Sequence, residues 1–197
     1  MLGQKDKRIY LNIAEGKIVK RTDQRVEVYD YLEGDLERIY PKEREFRGEK
    51  VPYWYLDMRD SQSGDLYSLG IRASSGVWRS LILSLGSVET FLLPIKINPY
   101  RKGDYDRVSV YSGEKRLDWV SGLPPIEEIE VQGQRVKSTA KRDQYISSLV
   151  DQVNSRLGIP ATQPDQRPQR TRRVGRGISI SSTGGNSDTQ SNLLSPE

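Results

Sequence analysis

Three aromatic residues in a row within a strand restrict the folding of this chain more than any other feature. The stretch KVPYWYLDMRD, residues 50–60, places Tyr53, Trp54 and Tyr55 consecutively. Side chains on a strand alternate between the two faces of its sheet, so one core cannot take all three rings. Pro52, Trp54, Leu56 and Met58 form the more apolar face, and Val51, Tyr53, Tyr55, Asp57 and Arg59 a half-polar one. That second face is either covered by a further element or left open to a ligand.

From about Arg8 to Val120 the sequence is dense in β-branched and aromatic residues, with turn signals at short intervals. Strands are expected at 8–21, where Gly16 marks a turn or bulge, and at 26–40, which Gly34 interrupts. Further strands are expected at 50–60, 65–73, 92–100 and 106–120, the last running through the turn Ser112–Lys115. The charged run KEREFRGE reads as a connection. Within SSGVWRSLILSLGSVE, Val77, Trp78, Leu81, Ile82, Leu85 and Val88 fall on one helical stripe, with Ser74 or Ser75 as cap and Gly86 as stop. A second helix is expected at 138–157, capped by Ser138, with the stripe Ile146, Leu149, Val150, Val153 and Leu157. GLPPIEEIEVQGQRVK reads as the linker before it, with Glu127, Glu128 and Glu130 solvated.

A long bent strand, two more strands, a helix and two further strands is the order of elements in an OB-fold. The expected fold is therefore mainly β: an OB-fold-like five-stranded barrel with an added N-terminal strand, one inter-strand helix and a C-terminal helix. The expected domains are 1–137 for the barrel, 138–157 for the helix, and 158–197 for a disordered tail rich in Arg, Gly and Ser.

The chain contains no cysteine and no histidine. That removes disulfides, thiolate nucleophiles, Cys/His zinc sites and histidine-based acid–base catalysis. No phosphate-binding GxxxxGK[ST] or dinucleotide GxGxxG pattern is present. Asp57, Asp60 and Asp65 cluster around RDSQSGD, but Asp, Ser and Gly are ordinary hairpin-turn residues. No cofactor or metal is expected, and the protein is expected not to be an enzyme. No apolar run approaches the roughly 20 residues of a membrane span. The charged start MLGQKDKR lacks an apolar run after it, so the expected location is the cytoplasm.

Aromatic and basic residues alternate along several strands. In YDRVSVYS, Val108 and Val110 are expected to point inward, and Tyr105, Arg107, Ser109 and Tyr111 outward. PYRKGDY places Tyr100, Arg101 and Lys102 in a loop before them. Rings interleaved with cations suit single-stranded nucleic acid, whose bases stack at about 1–3 kcal/mol each while the cations meet phosphates. The same tyrosines also fit plain cross-strand packing or a protein-binding surface. Trp54, Trp78 and Trp119 are expected in the core. Beyond Gly158, five arginines (Arg167, Arg170, Arg172, Arg173 and Arg176) stand against Asp165, Asp188 and Glu197, so half of the net charge of +4 falls there.

The segments EVYDYLEGDLERI, GEKVPYWYLDMRD, YSLGIRASSGVWRSLILSL and IKINPYRKGDYDRVSVYSGEKRLDW resemble phage and mobile-element single-stranded DNA-binding proteins of the OB-fold type, especially those of crAss-like phages and Bacteroidetes elements. The resemblance covers about residues 26–120. It implies coating of single-stranded DNA in replication and recombination, within a bacterial host, with replication proteins recruited through the C-terminal tail. It carries Tyr53, Tyr55, Tyr105 and Tyr111 over as stacking residues and Arg59, Arg101, Lys102 and Arg107 as phosphate contacts; Tyr100 joins them from the loop PYRKGDY. The chain departs from that pattern in its basic tail, where such proteins usually end in an acidic one. A second reading is a structural or assembly protein of a phage virion, which would use the Tyr/Arg face for protein and the second helix for self-association.

Overall fold

The computed structural model describes residues 8–131 and 134–159, and the Arg-rich segment expected as a tail lies outside the described residues. The strands are β1 (Arg8–Ala14), β2 (Lys17–Arg21), β3 (Val26–Tyr29), β4 (Leu32–Phe46), β5 (Glu49–Arg59), β6 (Leu66–Arg72), β7 (Ile95–Lys102), β8 (Tyr105–Ser112), β9 (Lys115–Arg116), β10 (Glu127–Val131) and β11 (Gln134–Ser138). The helices are α1 (Gly76–Leu85), between β6 and β7, and α2 (Ala140–Arg156), after β11. Nine strands form one mixed sheet in the order β3-β2-β1-β6-β5-β4-β7-β8-β9, while β10 and β11 pair with each other. Among the described residues, no helix is long and apolar enough to cross a membrane.

The mainly β class and both helices agree with expectation, but among the described residues no closed barrel forms. The outer edge of β6 pairs in parallel with β1, from Arg8↔Leu66 to Asn12↔Gly70, and β2 and β3 extend the sheet from there. The expected strand 8–21 is a hairpin, because Glu15 and Gly16 both take positive φ (53° and 72°), as a two-residue turn requires. The expected strand 26–40 breaks at Asp30–Tyr31, and its second part runs on through KEREF to a like turn at Arg47 and Gly48 (φ 53° and 81°). What reads as a charged connection is strand, with Lys42, Glu43 and Glu45 exposed and Arg44 half-buried. The supposed linker holds the β10–β11 hairpin, and Glu127 there pairs with Lys141 at 2.6 Å.

Strand β4 changes partner along its length. Leu32–Gly34 pair with β7, and Asp35–Phe46 pair with β5, with a bulge between Leu36 and Arg38. A Cβ on Gly34 would stand 2.5 Å from the Arg59 carbonyl oxygen, so only glycine passes there. Beyond the bulge, the edge of β4 has lost β7, and α2 supplies the missing partner. Asn154 Nδ2 donates to the Ile39 carbonyl at 2.8 Å, and its Oδ1 accepts from the Ile39 N–H at 2.9 Å.

Helix α1 sits at the centre of the core. Its start is capped by Ser75, whose hydroxyl oxygen accepts from the Trp78 N–H at 3.1 Å. Every residue from Leu81 to Leu85 is buried, so the expected single stripe is in fact apolar cover on all sides. The sheet takes one side, where Trp54 stacks on Trp78 at 5.1 Å. On the other side Ile146, Leu149, Val150 and Val153 of α2 join the same core. Gly86 allows the close approach, since a Cβ there would lie 3.2 Å from Leu149 and from Val120. Arg156 donates to the carbonyls of Gly86 and Val88 at 2.9 and 2.7 Å, tying α2 to the turn that follows α1.

Replacing Asn154 with Ala orphans a buried N–H and a buried C=O together. Urea unfolding is expected to show a loss of about 2–4 kcal/mol, whereas Ser155→Ala, on the exposed side of the same helix, stays within about 0.5 kcal/mol.

Candidate nucleic-acid interface

The second face of β5 is one half of a polar surface built by four strands. The register sets Arg38, Tyr40 and Lys42 of β4 opposite Asp57, Tyr55 and Tyr53 of β5. Those three meet Ser68, Gly70 and Arg72 of β6 in turn, and Tyr10 and Asn12 of β1 follow beside Ser68 and Gly70. Directly paired residues share a face, so tyrosines and cations are brought together from segments far apart in sequence.

At the centre of this surface the Asp57 carboxylate is 1% exposed. Its Oδ2 is 2.7 Å from Arg38 Nε and 3.1 Å from Arg8 Nη2, and its Oδ1 accepts from the Ser68 hydroxyl at 2.7 Å. The Tyr40 hydroxyl adds a longer bond of 3.4 Å. A buried carboxylate persists only with such partners. Burial works against the Arg8 charge, yet Asp57 and the phenol oxygens nearby hold its pKa above the ordinary value.

Tyr55 is also 1% exposed, which corrects its assignment as a stacking residue. Its ring settles over Gly70, where an added Cβ would come within 3.0 Å of it. Tyr40 stacks on it at 5.6 Å, Tyr10 meets it edge-on at 6.3 Å, and the Arg44 guanidinium covers it at 5.3 Å. Burial pushes the Tyr55 phenol above its ordinary pKa, against the pull of Arg44. Arg59 is likewise committed, pairing with Glu37 and donating to the Gly64 carbonyl at 3.0 Å.

Tyr53 is half-buried, with Arg44 over its ring at 5.1 Å, and it opens onto a groove of about 570 Å³. Arg21, Arg44 and Arg72 line this groove together with Tyr105, which is 70% exposed at the tip of the β7–β8 hairpin. Asp104 and Asp106 line it too, but Asp106 is occupied by the Gly16 N–H at 2.8 Å. That bond and the bare Cα of Gly16 press the β1–β2 turn against β7: a Cβ would stand 2.6 Å from the Arg101 nitrogen. The exposed Arg101 side chain donates to the Gly103 carbonyl at 3.2 Å.

The hairpin's outer face continues the pattern. Lys102 opposes Tyr105, Tyr100 opposes Arg107, and Lys96 opposes Tyr111. Tyr100, Lys102 and Arg107 line a hollow of about 300 Å³ with Arg116 and Trp119. Among the described residues no carboxylate lines that hollow, and Lys102, Arg107 and Arg116 form no ion pair. Trp119, expected in the core, is 57% exposed. Tyr111 lies apart, in a hollow with Lys96, Asn98, Glu33 and Glu114.

Of the residues expected to bind, the structure thus gathers Tyr53 and Tyr105 in the groove and Tyr100, Lys102 and Arg107 in the adjoining hollow. It adds Arg21, Arg44 and Arg72 to the groove and Arg116 and Trp119 to the hollow, which the sequence reading missed. The alternation Arg38, Tyr40, Lys42, Arg44 is visible in ERIYPKER once the strand is carried through the charged run.

The two tyrosines should separate cleanly in denaturation midpoints. Tyr55→Ala is expected to cost about 3–5 kcal/mol as a core truncation, and Tyr53→Ala at the rim about 1 kcal/mol or less. Asp57→Ala, which strands two partly exposed arginines, is expected to fall between them, at about 2–3 kcal/mol. No protein-family model, curated protein or solved structure matches this chain.

Proposed function

We propose that this protein binds single-stranded DNA without sequence preference and without catalysis. The observation that carries the reading is the pair of depressions at the Tyr53 groove and the Trp119 hollow, where rings stand beside cations: Asp104 and Asp106 line the first, and among the described residues no carboxylate lines the second. Bases stack on Tyr53, Tyr105, Tyr100 and Trp119, and Arg72, Lys102, Arg107 and Arg116 meet the phosphates. Every base has a π-face and every linkage a charge, so such a surface takes any sequence.

The strand order supports the same reading. Strands β6-β5-β4-β7-β8, with α1 between β6 and β7, follow the order of the five strands of an OB-fold, opened along the edge where β1 inserts. The proposed role is that of the phage and mobile-element proteins the sequence resembles: holding exposed strands during replication or recombination in the cytoplasm of a bacterial host, with replication proteins engaged by the C-terminal segment. One observation favours the virion or assembly reading instead. On β10–β11, Ile129 and Val136 oppose each other and are 43% and 45% exposed, an apolar pair suited to a protein contact.

The deciding measurement is binding of oligo-dT at two salt concentrations. Affinity is expected to fall with salt on a slope of about −0.7 per phosphate contacted, and Arg107→Ala or Arg72→Ala each to flatten that slope by somewhat less than 1. Tyr53→Ala is expected to weaken binding by about 1–3 kcal/mol. Because Trp78 is buried and Trp54 half-buried, quenching of tryptophan fluorescence on binding should be lost in Trp119→Phe. Absence of any binding at low salt would falsify the proposal.

A further inference from the structure

Away from the cationic groove, the start of β4 borders a pocket of opposite character. It has a volume of about 370 Å³, in the range of small-ligand sites. Leu11, Ile18 and Leu32, all buried, form its floor. Tyr29, Tyr31 and Tyr67 supply three rings to its walls, Glu33 and Asp60 supply two carboxylates, and no lysine or arginine lines it. A phosphate chain is repelled there, so the pocket does not extend the nucleic-acid surface.

We infer that this pocket receives the guanidinium of an arginine side chain presented by a partner protein. The faces of tyrosine rings attract cations, most strongly where water is partly excluded, and a planar guanidinium also stacks on them. The Asp60 carboxylate adds charge complementarity, beside Glu33, whose charge is shared with Lys96 at 3.5 Å. Asp60 is fixed for this purpose: its Oδ1 accepts the Gln62 and Ser63 N–H groups at 2.8 and 3.4 Å, and these bonds hold its carboxyl below the usual range. Burial raises the Tyr67 phenol, and the nearby Asp65, Asp60 and Glu27 raise it further, which marks a negative local field. The chain itself shows how this wall takes a cation. Lys96 Nζ stands 4.0 Å from the centre of the Tyr31 ring and 3.5 Å from Glu33, in the hollow adjoining the pocket.

The probe is acetyl-arginine amide, titrated into the full chain and followed by amide chemical shifts, with acetyl-citrulline amide as a neutral isostere. Saturable shifts at Gly34, Ser61 and Gln62 are expected with arginine and not with citrulline. Glu33→Gln with Asp60→Asn is expected to weaken arginine binding at least fivefold, the new Asn keeping an acceptor for the turn. Tyr31→Ala, at a half-exposed ring in the break before β4, is expected to weaken it similarly while oligo-dT affinity stays unchanged. Equal responses to the two probes, no response to arginine, or arginine binding that survives these substitutions overturns the inference. None of those outcomes touches the proposed binding of DNA.

Discussion

A strand that changes partner halfway must leave part of its edge without a ladder, and β4 is that strand. Its first three residues belong to β7 and the remainder to β5, so the sheet turns through it around α1. Gly34 permits the crossing, the bulge after Leu36 turns the strand, and Asn154 meets the backbone groups that the turn exposes. An unmet buried N–H or C=O costs about 1–3 kcal/mol, a large share of a domain's net stability. That is why α2, more than a hundred residues away in sequence, belongs to the same core. The same change of partner frees the later part of β4 to carry Arg38, Lys42 and Arg44 on its outer side.

The three consecutive rings of β5 then meet three separate fates. Trp54 faces inward and stacks on Trp78. Tyr55 faces outward yet is sealed, because Gly70 leaves room beneath it and Arg44 and Tyr40 close over it. Tyr53, two residues nearer the strand's start, shares the Arg44 cover but stays half-buried and borders the groove. The outward side of β5 is therefore a second small core of phenol rings and guanidinium groups, pinned by Asp57. It is dense enough to bury a carboxylate and still leaves its rim open.

Local signals carried the strands, both helices and the apolar stripes, because period and turn chemistry act over a few residues. Gly16 marked the first hairpin, and Ser75 and Gly86 the limits of α1. What failed was anything set by distant partners. KEREF looks like a loop because its charges lack an apolar face, yet it pairs residue by residue with β5. The parallel pairing of β1 beside β6 leaves no local trace, so the place of the added N-terminal strand was not legible. The rings of the site were legible as residue types, whereas their exposure was not: it depends on what stands across from them, Gly70 and Tyr40 for Tyr55, Arg72 and Lys42 for Tyr53.

The hairpin β7–β8 ties these parts into one surface. Its outer face brings Tyr105 to the groove and Tyr100 and Arg107 to the hollow, one cross-strand step apart. A free hairpin of two strands holds its shape poorly in water. Here its tip is fixed by the Asp106–Gly16 bond and by backbone contact at Arg101, while α1 packs against β8 from within. Rings held on such a support would lose little freedom under the proposed stacking of bases, so more of the stacking energy would survive as affinity. The tyrosine pocket at the start of β4 has the reverse charge, so under the two proposals a polyanion and a basic partner would not compete for one place.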